Sequence, residues 1–214
     1  MKSVLVIGMG RFGQHLALKM QELGNDVMII DRNEKIINDL APHFADSHIG
    51  DCTNENVLRA LDVASLDICF VAMGEDFQSS LVVTSLLKRV GAKCVVAKAN
   101  QEIQADLLRQ IGADEVVYPE REIAEKLAVR YNTDNIFDYI QLTAEYSIYE
   151  IPVLSSWVGN SLIGLDIRRK YNINIIAVKK DGHIVPVLSP DSRFTADEHL
   201  IVMCHKEDIS KFIK

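Results

Sequence analysis

The sequence predicts an α/β protein, in which a doubly wound parallel sheet is followed by a smaller α+β unit. Three observations carry this. From Val4 to about Asn132, short β-branched runs alternate with amphipathic segments, the rhythm of repeated βα units. A glycine-rich turn joins the first run to the first amphipathic segment. After Asn132 the rhythm changes, and strands follow one another with few helices between them.

The first six strands are expected at residues 3–7, 27–31, 47–49, 68–73, 93–98 and 115–118. All but the run at 47–49 carry apolar residues at consecutive positions, as strands do when helices cover both faces of a sheet. Helices are expected between and after them at 12–23, 34–40, 55–61, 77–90, 102–111 and 123–131. Gly24, Gly91 and Gly112 each follow a helix, where a residue tolerant of positive φ ends it cheaply. Beyond a polar boundary near 133–138, strands are expected at 139–142, 147–153, 173–178, 184–187 and 200–204. Helices are expected there only at 162–170 and 207–213. The division is therefore 1–135 and 136–214, with no internal repeat.

The chain has 214 residues, 48% of them hydrophobic, enough for a substantial core. A formal net charge of -7 disfavours nucleic acid as the main partner. Cys52, Cys69, Cys94 and Cys204 form no C-x-x-C pair, so they are read as reduced and the chain as intracellular. The apolar run at residues 4–7 is too short for a signal sequence or membrane span, and no later run reaches spanning length. The protein is expected to be soluble and to meet a membrane only through a partner.

Gly8-Met9-Gly10-Arg11-Phe12-Gly13 follows the first strand and opens the first helix, and Asp31 ends the second strand eighteen residues past Gly13. This is the dinucleotide-binding turn of a Rossmann-like fold in its proper context. Gly8 permits the tight turn, Gly10 admits a phosphate to the backbone, and Gly13 lets helix and strand approach. The helix N-terminus offers unpaired N–H groups to the anion. Asp31 is placed to accept from ribose hydroxyls.

Other residues fall at the same carboxyl edge of the sheet. Arg11 inside the turn favours a phosphate-rich ligand, because elsewhere an arginine on the first helical turn opposes the helix dipole. Arg32 can stack on adenine, bind a 2′-phosphate, or simply lie on the surface. Asp51, in Gly50-Asp51-Cys52-Thr53, is placed to accept from an adenine amino group, although Asp51 or Thr53 can equally cap the helix near Glu55. Cys52 is read as packing. Met73, ending the fourth strand, and Gly74, just after it, join the candidate lining. Lys98 ends a buried strand and points a charge toward the crevice. Glu120, after Pro119, is best explained physically as an acidic residue at a helix N-terminus.

These residues resemble a known family, the bacterial regulators of potassium conductance of the Ktr and Trk uptake systems. The resemblance rests on Val6–Gly13, Ile30-Asp31, Gly50–Thr53, Ala97-Lys98-Ala99, Ile111-Gly112-Ala113-Asp114 and Tyr118-Pro119-Glu120. It extends to Val158–Leu162 and Leu165–Arg168 in the C-terminal unit. It implies that Asp31 holds the ribose of ATP or ADP, that Arg11 reaches the terminal phosphate, and that Lys98 lies beside the phosphates. Glu120 then becomes a candidate ligand for Mg²⁺ or Ca²⁺, overriding the helix-end reading. NAD/NADH is the alternative, since family members divide between the two ligands and Arg11 resembles the ATP/ADP branch.

The resemblance also implies cyclic di-AMP as a second ligand, at Leu162, Ile163, Asp166, Ile167, Arg168, Tyr171, Asn174 and Pro190. From the residues alone most of these form one amphipathic helix facing a core. The implied assembly is an octameric ring of dimers on a membrane potassium channel or transporter, which places the chain in the cytoplasm at the inner face of the membrane.

An enzyme of this fold needs a proton donor or acceptor beside its cofactor. His15, His43, His48, His183, His199 and His205 are scattered without a partner pattern, so no catalytic role is assigned. A DNA-binding repressor is expected to add a helix-turn-helix module, and neither flank of the Rossmann unit supplies one.

Overall fold

The computed structural model describes residues 1–74, 76–132, 135–186 and 189–209. It divides into two compact units, Met1–Arg121 and Glu122–Lys214.

The first unit runs β1 (Ser3–Ile7), α1 (Arg11–Glu22), β2 (Asp26–Asp31), α2 (Glu34–Leu40), β3 (Asp46–Ile49), α3 (Glu55–Ala60), β4 (Ile68–Val71), α4 (Phe77–Arg89), β5 (Val95–Lys98), α5 (Glu102–Gln110) and β6 (Glu115–Val117). A 3-10 turn at Ala41–His43, not anticipated from the sequence, follows α2. The six strands are parallel in the order β3-β2-β1-β4-β5-β6, so the winding reverses between β1 and β4. Consecutive apolar residues have the reason expected of them. Leu5 and Ile7 join a core with Leu58, Val83 and Leu87 on one face, whereas Val4 and Val6 join Ala17 and Ile37 on the other.

The Ile111–Asp114 segment has a structural role. The Asp114 carboxylate accepts the Val95 N–H at 2.7 Å and Lys88 Nζ at 2.9 Å, tying the end of α5 to β5 and α4. Strands β4 and β5 are shorter than expected, and Met73 and Gly74 lie in the loop after β4.

Helix α6 (Pro119–Tyr131) begins four residues earlier than expected. Proline at the first helical position loses no hydrogen bond and arrives with its φ already helical. The division between the units falls inside this helix rather than near 133–138, and Thr133 and Asp134 lie outside the described residues.

The second unit comprises β7 (Asp138–Gln141), β8 (Tyr146–Pro152), α7 (Leu162–Leu165), α8 (Ile167–Tyr171), β9 (Asn174–Lys180), β10 (His183–Val185), β11 (His199–His205) and α9 (Lys206–Ile209). Its antiparallel sheet has the order β10-β9-β11-β8-β7. Strand β11 alternates, burying Leu200, Val202 and Cys204 while His199, Ile201, Met203 and His205 stay half-buried, the pattern of a sheet with one face on a core. That core gathers Trp157, Ile151, Ile173 and Leu200.

The single helix expected at 162–170 is two helices. Asp166 takes a left-handed conformation, φ 47°, and interrupts it. Val187, at the end of an expected strand, and residues 210–213 of the expected last helix lie outside the described residues.

Candidate functional site

A cleft of 770 Å³ opens at the carboxyl edge of the parallel sheet, where the winding reverses. Open α/β sheets bind ligands at this place. The glycine turn forms its floor. Gly8 lies at φ 92°, a conformation that penalises any side chain. A Cβ on Gly13 would press into the Gly8 carbonyl oxygen, so α1 can approach β1 only with glycine there.

Asp31 is fixed by two backbone donors. Met9 N–H reaches its Oδ2 at 2.7 Å and Asn33 N–H reaches its Oδ1 at 2.8 Å. The carboxylate at the end of β2 is thereby locked to the turn, with acceptor capacity remaining on both oxygens.

Of the sequence-predicted ligands, Gly8, Gly10, Arg11, Phe12, Asp31, Arg32, Asp51, Cys52, Met73, Gly74, Lys98 and Glu120 all line this cleft. Gly13 sits behind it as packing. Thr53 acts through Asp51, whose Oδ1 accepts both the Thr53 N–H at 2.9 Å and the Thr53 hydroxyl at 2.7 Å. Those bonds hold the exposed Asp51 carboxyl below its ordinary range. The helix-cap reading of Asp51 and Thr53 is corrected, because Asn54 caps α3 by accepting the Asn56 N–H at 3.0 Å.

Cys52 is buried, and burial, reinforced by Asp51 and Asp31, pushes its thiol up to about 12. It stays protonated and serves as packing.

At the far end, Lys98 Nζ lies 2.6 Å from Glu120 Oε1 and over the Phe12 ring, 5.4 Å from its centroid. The bond from Lys98 outweighs burial and, helped by the Arg11 charge, keeps the Glu120 carboxyl below its usual range. Among the described residues no group of three acidic, histidine or cysteine side chains is placed to hold a metal. A hard cation takes six or more oxygens, so Glu120 would contribute one and ligand oxygens or water the rest.

Sequence reasoning missed Asn33, Asp76 and Asn100 in the lining. Asn100 donates through Nδ2 to the Gly74 carbonyl at 2.5 Å, and a Cβ on Gly74 would collide with that amide. Asp76 caps α4, a position that the Asp-x-x-Ser spacing before an apolar run signals.

In the second unit, Ile163 is exposed and its N–H donates to the Pro190 carbonyl at 3.0 Å, which brings those two segments together. Leu162, Tyr171 and Asn174 are half-buried, and Asp166 and Arg168 are exposed. Tyr171 lies against Trp157, with ring centroids 5.2 Å apart. Ile167 is 3% exposed and belongs to the core, so its side chain is withdrawn from any surface ligand.

A model of the TrkA-N domain matches residues 4–119, and a model of the TrkA-C domain matches residues 146–214. Ktr system potassium uptake protein C of Bacillus subtilis (strain 168) is 37% identical over 213 residues, covering 100% of this chain and 96% of that protein. The chain belongs to the TrkA/Ktr family of potassium-uptake regulatory proteins. A second family member, Ktr system potassium uptake protein A of the same organism, is 33% identical over 211 residues, covering 99% and 95% of the two chains. Family membership makes the chain a regulatory potassium-transport subunit and not an enzyme. In fold it is similar to the GsuK channel, with a TM-score of 0.73 and 19% identity over 99% of this chain and 38% of that one.

Proposed function

We propose that the protein is a cytoplasmic regulatory subunit of a membrane potassium channel or transporter, and that its cleft binds an adenine nucleotide as the regulatory signal. The observation that carries this is the Asp31 carboxylate, locked 2.7 Å from the Met9 N–H beside a glycine turn that opens a helix. Ribose hydroxyls meet Asp31 and the diphosphate meets the turn, an arrangement common to ADP, ATP and NAD.

Two readings divide the rest of the ligand. Arg11, Lys98 and Glu120 put charge at the far end of the cleft, which favours further phosphate and, through Glu120, a Mg²⁺ or Ca²⁺ ion. That is the ATP/ADP reading. The NAD/NADH reading draws on the GsuK channel bound to NAD, matched over 99% of this chain with a TM-score of 0.72. GsuK bound to ADP is matched over 60% of the chain with a TM-score of 0.52.

Calorimetric titration with ATP, ADP, NAD and NADH, each with and without Mg²⁺ or Ca²⁺, separates the two. ATP binding strengthened by the cation and dependent on Arg11 supports the first, and tighter NAD or NADH binding supports the second. A cleft indifferent to all four removes both.

The regulatory mechanism is a shift between ring shapes. Copies assemble as dimers into an octameric ring on the channel subunit, and ligand exchange moves the ring through unequal affinity for its two shapes, about 1–3 kcal/mol in such systems. In the second unit, cyclic di-AMP is the proposed second ligand, bound between two copies against Leu162, Ile163 and Pro190 with Arg168 and Asn174 on its phosphates. The exposed Ile163 beside Pro190 supports this.

A further inference from the structure

The loops after β2 and after β4 stand on opposite lips of the crevice, because those strands flank β1. Among the described residues an ion pair crosses between them, with Arg32 Nη1 3.6 Å from Asp76 Oδ2. The acidic partner is the anchored one. Asp76 Oδ1 accepts the Ser79 N–H at 3.1 Å and Oδ2 accepts the Ser79 hydroxyl at 2.7 Å, as the cap of a 13-residue helix. Arg32 is the flexible partner, 64% exposed and tethered by its tip.

This changes what Arg32 can do. An arginine beside the ribose-binding acid is the residue that ordinarily accepts a 2′-phosphate in this class of fold. Here the same end of the cleft carries Asp31, Asp51 and Asp76, and the guanidinium is held by the last of these. Lys98 is at the other end, engaged by Glu120. A 2′-phosphate would therefore enter among the carboxylates of Asp31, Asp51 and Asp76 with its natural partner already paired.

We propose that Asp76 is a specificity-determining residue, which by holding Arg32 across the crevice makes the cleft select nucleotides with a free 2′-hydroxyl over their 2′-phosphorylated counterparts. This rests on the adenine-nucleotide reading of the cleft. Asp31 favours the hydroxyl in any Rossmann-like site, and Asp76 adds to this by withdrawing Arg32.

The test measures two affinity ratios by calorimetry at low salt: NAD against NADP, and AMP against adenosine 2′,5′-bisphosphate. Each pair differs by the same phosphate, so one reads the ratio if the site takes dinucleotides and the other if it takes mononucleotides. Wild-type protein is expected to prefer the unphosphorylated member at least tenfold. Asp76→Asn keeps a helix-capping side chain but loses the charge, and is expected to narrow the ratio at least threefold without a change in Tm. Adding Arg32→Ala to Asp76→Asn is expected to undo that gain, and raising the salt is expected to shrink all the differences.

An unchanged ratio in Asp76→Asn overturns the proposal, and so does a wild-type protein that binds both members equally. A narrowed ratio that survives Arg32→Ala overturns it too, since Asp76 would then act without Arg32. A wild-type protein that binds none of the four compounds, nor ADP, instead defeats the nucleotide reading itself.

Discussion

Lys98 Nζ donates to Glu120 Oε1 across 2.6 Å, joining the end of β5 to the first turn of α6. The lysine side chain is only 12% exposed, while its partner is 61% exposed. We propose this cation, fixed at the rim of the glycine turn, as a phosphate-binding element that Glu120 keeps satisfied until an anion arrives. Lys98→Met is expected to weaken adenine-nucleotide binding tenfold or more, on the order of 1.5–3 kcal/mol for a charge-assisted hydrogen bond. Calorimetry measures this, and unchanged affinity would place the phosphates elsewhere.

Gly13 is expected to tolerate no side chain. Gly13→Ala drives a methyl group into the Gly8 carbonyl, forcing α1 off β1 at a cost of about 3 kcal/mol. Urea denaturation should show a lower midpoint with an unchanged slope, and nucleotide binding should fall with it. Gly24→Ala, where a Cβ meets nothing but φ is 82°, separates strain in the turn from crowding in the site. Its stability should fall by about 1 kcal/mol with nucleotide affinity intact.

Thiol chemistry should sort the cysteines by burial. Cys52 and Cys69 are pushed up to about 12 and Cys204 to about 11, in each case first by burial. In the folded protein at pH 8 a thiol reagent is expected to modify Cys94, the half-buried one, ahead of the other three. Rapid labelling of Cys52 would contradict its place as a buried packing residue.

The second unit carries a charge network on its sheet. Glu150 accepts His199 Nδ1 at 2.7 Å and Lys179 Nζ at 2.9 Å, and Phe137 stacks on the His199 ring with centroids 4.1 Å apart. Burial pushes the Glu150 carboxyl up, but the two hydrogen bonds outweigh it and leave it below its ordinary 4.5. A carboxyl depressed in the folded state stabilises fully above its unfolded value, and that contribution is lost as pH falls through the folded one. Stability should therefore decline below about pH 4.5 through this group. Glu150→Gln is expected to cost about 2 kcal/mol at pH 7 and to flatten that acid limb, which chemical denaturation at several pH values measures.

Much of this was legible in the sequence because the signals were local. The consecutive apolar runs, the turn from Gly8 to Gly13 and the acid at Asp31 all lie within short stretches whose physics fixes their shape. Pro119 also announced the start of α6, although the apolar pattern alone suggested a later one. Asp76 and Asn100 were different. Each enters the cleft from a loop after a strand, and only the strand order brings Asp76 opposite Arg32. The break at Asp166 escaped notice for another reason. A left-handed aspartate uses no glycine, and the apolar spacing through 162–170 continues across it.

We propose that Asp31 and the glycine turn bind the adenosine diphosphate part of a nucleotide. The thermal midpoints of wild-type protein and Asp31→Asn against saturating ATP, ADP, NAD and NADH test this binding, since a ligand of the folded state raises stability by its occupancy. At a hundredfold excess over Kd the wild type should gain about 2.7 kcal/mol with at least one of these, and Asp31→Asn should lose most of that gain while remaining folded. No shift with any of the four, or an equal shift in Asp31→Asn, would show that Asp31 and the turn do not bind nucleotide.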